Sequence, residues 1–333
     1  MIAWLLISFF VLLFLGVPIA MSLGLSAMGG ILFLGGGSTV TIAQRMFEGM
    51  NSFALLAIPL YTFAGFTMSK GGISKRLMDF CYSIVGHIYG GLAHVNVLSS
   101  MIFAGISGSA VADTAGVSGM FMPEMVRKGY SKNFTVAVTA ISSTIGIIIP
   151  PSIPMVVIAG ICGISTGKLF LGGIIPGVLL GLALCVPTYI ISVKRHYPKH
   201  ERSSWKKRLE VTKDAIWALL MPVILLGGIL SGIFTPTEAS IVTCVYSLIV
   251  GVFVYKEIKL SDVPRIVYTN MRSCSSIIIL IGLANVFAFI LTNERIPQKV
   301  ATAILSMTTN RILVILLINF VLIFVGMFME SLA

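Results

Sequence analysis

The chain has 333 residues, of which 57% are hydrophobic and only 11% are charged, and its formal net charge is +11. Soluble domains carry about 25% charged residues, so this composition excludes a soluble globular protein and indicates an integral membrane protein. The five cysteines are scattered singly without a CxxC pair, which favours small buried hydrophobic side chains over metal or disulfide chemistry.

The first charged residue of the chain is Arg45. A cleaved signal peptide begins with basic residues, so we expect the first apolar segment to remain in the membrane. This segment covers residues 1–34, is interrupted by Gly16-Val17-Pro18 and is followed by three glycines. A second candidate span covers residues 52–68 and ends before Lys70.

Residues 105–114 read GISGSAVADT, a cluster of small and polar residues in a very apolar part of the chain. Glycine permits tight turns, and an acid at membrane depth is costly unless it faces a partner, a cavity or an ion. We therefore predict a re-entrant hairpin over about residues 96–126, with its tip in this cluster. Asp113 has two open interpretations, as a helix cap or partner of a nearby hydroxyl, and as an ion or substrate contact.

Residues 133–167 contain no charged side chain, although a straight spanning helix needs only about 20 residues. Three prolines fall within residues 150–154, which excludes a continuous helix and predicts a broken helix over 134–163. Unwound backbone at membrane depth survives where it is buried in protein or lines a cavity. Because Ser142, Ser143, Thr144 and Gly146 give a polar and small lining just before the break, we favour a binding site over a plain proline kink.

The basic residues are concentrated in residues 194–213, which hold eight lysines and arginines and two histidines. Between apolar segments this pattern predicts a cytoplasmic loop that can touch anionic lipid headgroups, rather than a nucleic-acid site. We interpret His87 and His94 as packing residues, and Glu238 as part of a helix cap. Further spans are predicted at 169–193, 218–237, 239–255, 273–293 and 312–329.

Weak similarity between the two halves recurs at a nearly constant offset. Pro18 corresponds to Pro236 at an offset of 218, and Gly105 to Gly326 at an offset of 221. This pattern predicts a first repeat over 1–215 and a second repeat over 216–333 that starts its own hairpin at Gly326. By the repeat logic, we expect about a hundred residues of the second repeat to be missing from this sequence.

The sequence offers no catalytic or nucleotide-binding motif that would indicate an enzyme. It contains no HExxH, GxSxG or GxGxxG where these could act. Residues 163–168, GISTGK, resemble a phosphate-binding loop in part. That loop needs a glycine at position 162 and a Ser or Thr at position 169, where this chain has Cys162 and Leu169. We therefore predict that the protein is not an enzyme, and that any uphill transport draws on an ion gradient or a partner.

Four motifs together resemble the large membrane subunit of tripartite ATP-independent periplasmic (TRAP) transporters. They are GISGSAVADT at 105–114, IPPSIP at 149–154, SFALLAIPL at 52–60 and GIFTPTEA at 232–239. The resemblance implies an all-α, polytopic, inverted-repeat transporter of the elevator type, with re-entrant hairpins and broken helices. It also implies the bacterial inner membrane, and Na⁺ as a coupling ion with no other cofactor.

The partners implied are a small four-helix membrane subunit and a periplasmic solute-binding protein that delivers an organic acid of the sialic acid, C4-dicarboxylate or sugar acid type. The alternatives are a stand-alone carboxylate carrier and a truncated, non-transporting fragment. By position, the resemblance implies sodium-binding and substrate-binding residues on the hairpin and the break, since hydroxyls and freed carbonyls supply oxygen ligands. The sodium residues are Ser107, Ser109, Gly146, Ile149 and Pro151, with Gly326 in a second site, and the substrate residues are Ser109, Asp113 and Ser152.

Overall fold

A computed structural model describes residues 2–33, 38–308 and 310–326, which are predominantly helical and contain no β-strand. The α-helices of these ranges are α1 Ile2–Phe14, α2 Ile19–Phe33, α3 Thr39–Met50, α4 Ala57–Lys70, α5 Ile73–Val85, α6 Gly91–Ser107, α7 Ala110–Arg127, α8 Lys132–Ser143, α9 Ile153–Cys162, α10 Thr166–Lys194, α11 Trp205–Leu230, α12 Pro236–Ile249, α13 Val263–Asn293, α14 Ile296–Met307 and α15 Arg311–Gly326. The predicted all-α class is confirmed.

Five helical stretches of the described residues are long and apolar enough to cross a membrane. They are Phe53–Lys70, Thr166–Lys194, Trp205–Leu230, Pro236–Val254 and Leu260–Asn293. Shorter apolar helices accompany them, among them α1, α2, α6 and α9. The protein is therefore a polytopic helical membrane protein, as its composition predicts.

The interruptions that glycine and proline predict lie where the sequence puts them. The first apolar segment breaks between α1 and α2, where Gly16 has a φ of 82° and Pro18 precedes the next helix. The turn before α12 has a similar form, because Gly232 has a φ of 75° and Pro236 begins the helix. Thr235 and Glu238 form a reciprocal capping box there, which confirms the structural role predicted for Glu238.

The basic segment is shorter as a loop than the sequence suggests. Helix α10 continues to Lys194 and α11 begins at Trp205, so only residues 195–204 lie outside helices. Ser204 starts α11 early because its side chain accepts a hydrogen bond from the backbone N–H of Lys207. The basic residues outside this loop lie on helices, Lys194 at the end of α10 and the others in the first part of α11.

Contacts between helices divide the chain into two compact units, residues 53–272 and residues 1–52 with 273–333. This division does not follow the predicted repeat boundary at 215, because α4 from the first half packs on α12 from the second. The repeat itself stays a prediction. In the second unit, Leu5, Ile31 and Ile290 belong to one buried apolar cluster.

The larger unit has a core of buried side chains around α6, α7 and α8. Tyr197 of the basic loop stacks on Tyr130 with ring centroids 4.5 Å apart, and Arg195 Nη1 donates to Ser131 Oγ at 3.0 Å. The loop is thereby fixed to the turn between α7 and α8.

Among the cysteines, Cys81 and Cys274 are buried, and Cys185 and Cys244 are partly buried. Cys162, at the end of α9, is nevertheless exposed, so the expectation of burial is wrong for this thiol.

Candidate functional site

Helices α6 and α7 form the predicted hairpin, and its tip is the pair Gly108-Ser109. Gly108 has a φ of 64°, and its N–H donates to Ala104 O, which closes the end of α6. Residues with a Cβ are strained in this left-handed conformation, so glycine is the natural choice at the tip. The structure thus contains a helical hairpin that turns within this cluster, and its re-entry into the membrane stays a prediction.

The predicted broken helix is also present. Helix α8 ends at Ser143, a 3₁₀ turn covers Thr144–Ile147, and α9 begins at Ile153 after the two prolines. Ser152 caps α9, because its hydroxyl accepts from the N–H of Met155 at 3.3 Å and donates to Ile147 O at 2.7 Å. The hydroxyl of Ser152 is therefore engaged with backbone on both sides of the break.

The hairpin tip lies directly against the break. The N–H of Ile153 donates to Gly108 O at 3.0 Å. A Cβ on Gly108 would stand 2.7 Å from Pro151 O, and a Cβ on Gly146 would collide with Asp113 Oδ2. Two glycines on opposite elements thus permit an approach that alanine would prevent. The structure brings the two predicted halves of the site together.

Asp113 is the one acid at this junction, and it is fully buried. Its Oδ1 accepts a hydrogen bond from Ser107 Oγ, which the N–H of Ser109 also contacts at 3.3 Å. Its Oδ2 is buried without a hydrogen-bond partner. An unsatisfied carboxylate oxygen is expensive in a protein interior, so this atom is suited to a cation or a donor brought from outside.

Two further residues of the predicted sites are Ile149 and Gly326. The N–H of Ile149 donates to Ile145 O at 3.0 Å, and its side chain lies against Gly177 of α10. Gly326 is exposed at the end of α15, and a Cβ built on it would meet nothing within 4 Å. The rest of the predicted second hairpin, residues 327–333, lies outside the described residues.

Sequence reasoning missed a buried polar network beside the site. Asn96 Nδ2 donates to Thr139 Oγ1 at 2.8 Å, Ser142 Oγ donates to Asn96 Oδ1 at 3.2 Å, and Ser100 Oγ donates to Ser142 Oγ at 3.1 Å. These bonds join α6, the first arm of the hairpin, to α8, which leads into the break. An amide within an apolar helix was the available signal, since such a group needs a partner.

The atoms that could bind a cation at this junction are hydroxyl, carboxylate and backbone carbonyl oxygens, which are the ligands that hard cations prefer. Across the described ranges, no group of three or more His, Cys, Asp or Glu side chains could hold a metal ion. The arrangement fits an ion that is held by one carboxylate and neutral oxygens. Such a site can combine ion binding with a change in how the hairpin meets the break.

Comparison with known proteins identifies the chain's family. The family model described as "Tripartite ATP-independent periplasmic transporter, DctM component" matches residues 6–333. A C4-dicarboxylate TRAP transporter large permease protein of Pseudomonas aeruginosa is 42% identical over 93% of this chain and 72% of its own length. A sialic acid TRAP transporter large permease protein of Vibrio cholerae is 38% identical over 97% of this chain and 75% of its own length.

An isethionate TRAP transporter permease protein of Oleidesulfovibrio alaskensis is 40% identical over 98% of this chain, which spans 51% of that relative. These relatives are transporters rather than enzymes. The match over nearly the whole chain agrees with the helical membrane architecture. The chain belongs to the DctM component family of tripartite ATP-independent periplasmic transporters, the TRAP large permeases.

Proposed function

We propose that the chain is the membrane permease subunit of a sodium-coupled importer of organic acids that depends on a solute-binding protein. The observation that carries the proposal is the buried, unpartnered Oδ2 of Asp113, which lies where the hairpin meets the break. A monovalent cation there would neutralise the carboxylate and satisfy its free oxygen. The family of the chain supports the transport role.

The transported ion would be held from both elements. Ser107, Ser109 and Asp113 supply hydroxyl and carboxylate oxygens from the hairpin, and Gly146, Ile149 and Pro151 supply carbonyl oxygens from the unwound segment. Ser107 donates its hydroxyl hydrogen to Asp113, which leaves lone pairs of the same oxygen for a cation. The hairpin would therefore supply the negative charge, and the unwound segment would supply the neutral carbonyl oxygens.

An elevator movement is the transport mechanism that we propose for this chain. The backbone bond from Ile153 to Gly108 and the Asn96 network tie the hairpin to α8 and α9. Elements joined by backbone and buried side-chain bonds move as one body more readily than they separate. The hairpin and the broken helix would therefore carry ion and substrate together.

The proposed substrate class is supported by relatives whose names specify C4-dicarboxylate, sialic acid and isethionate transport. All of these solutes are small organic anions, and we propose the same class here. Ser109, Asp113 and Ser152 remain the proposed substrate contacts. Asp113 and Ser152 are fully buried, so a substrate would reach them only after the hairpin moves.

The partners proposed are a small membrane subunit and a periplasmic solute-binding protein, with the complex in the bacterial inner membrane. The test is uptake into proteoliposomes that hold the chain with its small subunit. We expect uptake of an organic acid to require both an inward sodium gradient and the binding protein. Uptake without sodium would refute the coupling, and uptake without the binding protein would favour a stand-alone carrier.

A second experiment tests the ion site on the purified chain. Sodium should raise the unfolding temperature more than potassium at equal ionic strength, and Asp113→Asn should abolish that difference. Asp79→Asn is the matched control, because this acid lies on α5, where its charged neighbours include Lys75, Arg76 and Asp214. Equal sodium stabilisation of wild type and Asp113→Asn would exclude Asp113 as a ligand.

A further inference from the structure

A cavity of about 510 Å³ lies between the end of α5, the start of α6 and the second half of α10. Its volume falls within the range of about 300–1,000 Å³ that is typical of small-molecule sites. The wall formed by α10 includes Leu182, Val186 and Ile190, whose exposed fractions are 56%, 58% and 58%. Since α10 is long and apolar enough to cross a membrane, these exposed apolar side chains are suited to contact lipid.

His94 and Tyr189 are the polar side chains in this mostly apolar lining. His94 is only 5% exposed, and its Nε2 has no hydrogen-bond partner. The nearest ring is that of Tyr189, with its centroid 6.3 Å away. A buried ring nitrogen of this kind needs a partner, so the cavity suits a molecule that is mostly apolar but carries a polar group at the depth of His94.

The depths of the lining residues define an amphipathic gradient. His94 is the fourth residue of α6, about 5 Å along the helix, whereas Met101 lies about 15 Å along it. Tyr189 precedes Lys194, the last residue of α10, by about 7.5 Å. The polar side chains of His94 and Tyr189 therefore lie at one end of the cavity, beside apolar residues such as Ile190, and the lining farther along α6 is apolar. This is the order of the ester region and the acyl chain in a phospholipid.

The polar end of the cavity is positively charged. The backbone N–H of His200 donates to Gly86 O at 3.2 Å, so the basic loop lies over the turn that precedes α6. Lys199 Nζ is 4.9 Å from the ring centre of Tyr89, and Lys194 ends α10. Basic loops face the cytoplasm, where the leaflet carries anionic lipids.

We propose that this cavity, named here the α6–α10 cavity, binds one anionic phospholipid from the cytoplasmic leaflet. One acyl chain lies along Leu98, Met101 and Leu182, and an ester oxygen or glycerol hydroxyl contacts His94. The headgroup phosphate faces Lys194 and Lys199. The bound lipid would fasten the basic loop to the α6–α10 pair.

The experiment measures lipid retention by native mass spectrometry of the full-length chain after delipidation and exposure to phosphatidylglycerol or phosphatidylcholine. We expect one tightly held phosphatidylglycerol, preferred by about fivefold for each lysine that reaches the headgroup. Lys199→Ala should lower this preference without changing retention of phosphatidylcholine. His94→Phe, which keeps a ring and removes the nitrogen, should weaken retention of both lipids.

A matched pair of tryptophan variants tests the location. Val186→Trp places a large side chain in the cavity, whereas Leu180→Trp alters another exposed residue of α10 outside the lining. Loss of the tightly held lipid in Val186→Trp alone supports the site. Equal retention by the two variants would overturn it, as would equal affinity of wild type for the two lipids. Loss of small-subunit binding in Val186→Trp with unchanged lipid retention would also overturn it, in favour of a partner helix.

Discussion

Replacing Gly108 with alanine tests the contact on which the candidate site depends. Gly108 has a φ of 64°, a conformation that costs a residue with a Cβ about 1–2 kcal/mol. The new Cβ would also lie 2.7 Å from Pro151 O, where ordinary contacts begin at 3.4 Å. Backbone must then move by about 0.7 Å, and overpacking of this kind costs about 1–3 kcal/mol. The free energy of unfolding should fall by about 2–5 kcal/mol.

Gly163→Ala is the matched control. Gly163 caps α9 and has the same φ of 64°, but a Cβ built on it would meet nothing within 4 Å. This variant therefore carries the backbone strain of about 1–2 kcal/mol without the collision. The difference between the two variants measures the approach of the hairpin to the break.

The assay is thermal unfolding of the purified chain in one detergent. For a chain of this length, 1 kcal/mol corresponds to about 1–2 °C in the unfolding midpoint. Gly108→Ala should therefore unfold several degrees below wild type and below Gly163→Ala. Sodium should also stabilise Gly108→Ala less. Equal midpoints for the two variants would refute the close approach, and with it the geometry of the site.

Three further predictions concern other parts of the chain. Thr235→Ala removes the capping box and should lower the free energy of unfolding by about 1 kcal/mol, as measured by thermal unfolding. Thr235→Ser should restore most of this stability, and equal losses in the two variants would contradict the cap. Asn96→Leu removes the two bonds that join Asn96 to Thr139 and Ser142, which then keep only their bonds to backbone carbonyls and to Ser100. The free energy of unfolding should fall by about 1–3 kcal/mol, with faster hydrogen exchange in α8, and unchanged exchange would argue against the network. A water-soluble maleimide should label Cys162 and spare the buried cysteines, and strong labelling that persists in Cys162→Ser would contradict the described exposures.

The sequence predicted best those features that glycine and proline impose locally. The breaks at residues 16–18 and 147–154 and the hairpin tip at 105–114 lie where they were predicted, because these residues limit the backbone whatever surrounds them. The capping box at Thr235 follows the same logic. All four features need only the chemistry of a few neighbouring residues.

Features that depend on distant partners were not predictable in the same way. The bond from Asn96 to Thr139 joins residues 43 positions apart, and nothing near either residue specifies the other. Helices α3, α5 and α14 carry polar and apolar residues together, so a search for apolar spans passes over them. The early start of α11 was missed because a run of basic residues resembles a loop by composition.

The hairpin and the break can act as one ion-binding element because each lacks what the other provides. Residues 144–154 free backbone carbonyls but contain no charged side chain, whereas the hairpin tip has one acid but directs most of its carbonyls into helices. A cation would therefore be held well only when the two elements touch, as they do at Gly146 and Asp113. A ligand that binds one arrangement better than another shifts the population toward it. Sodium bound at this junction would thus stabilise the closed hairpin, which links ion occupancy to the movement that transport requires.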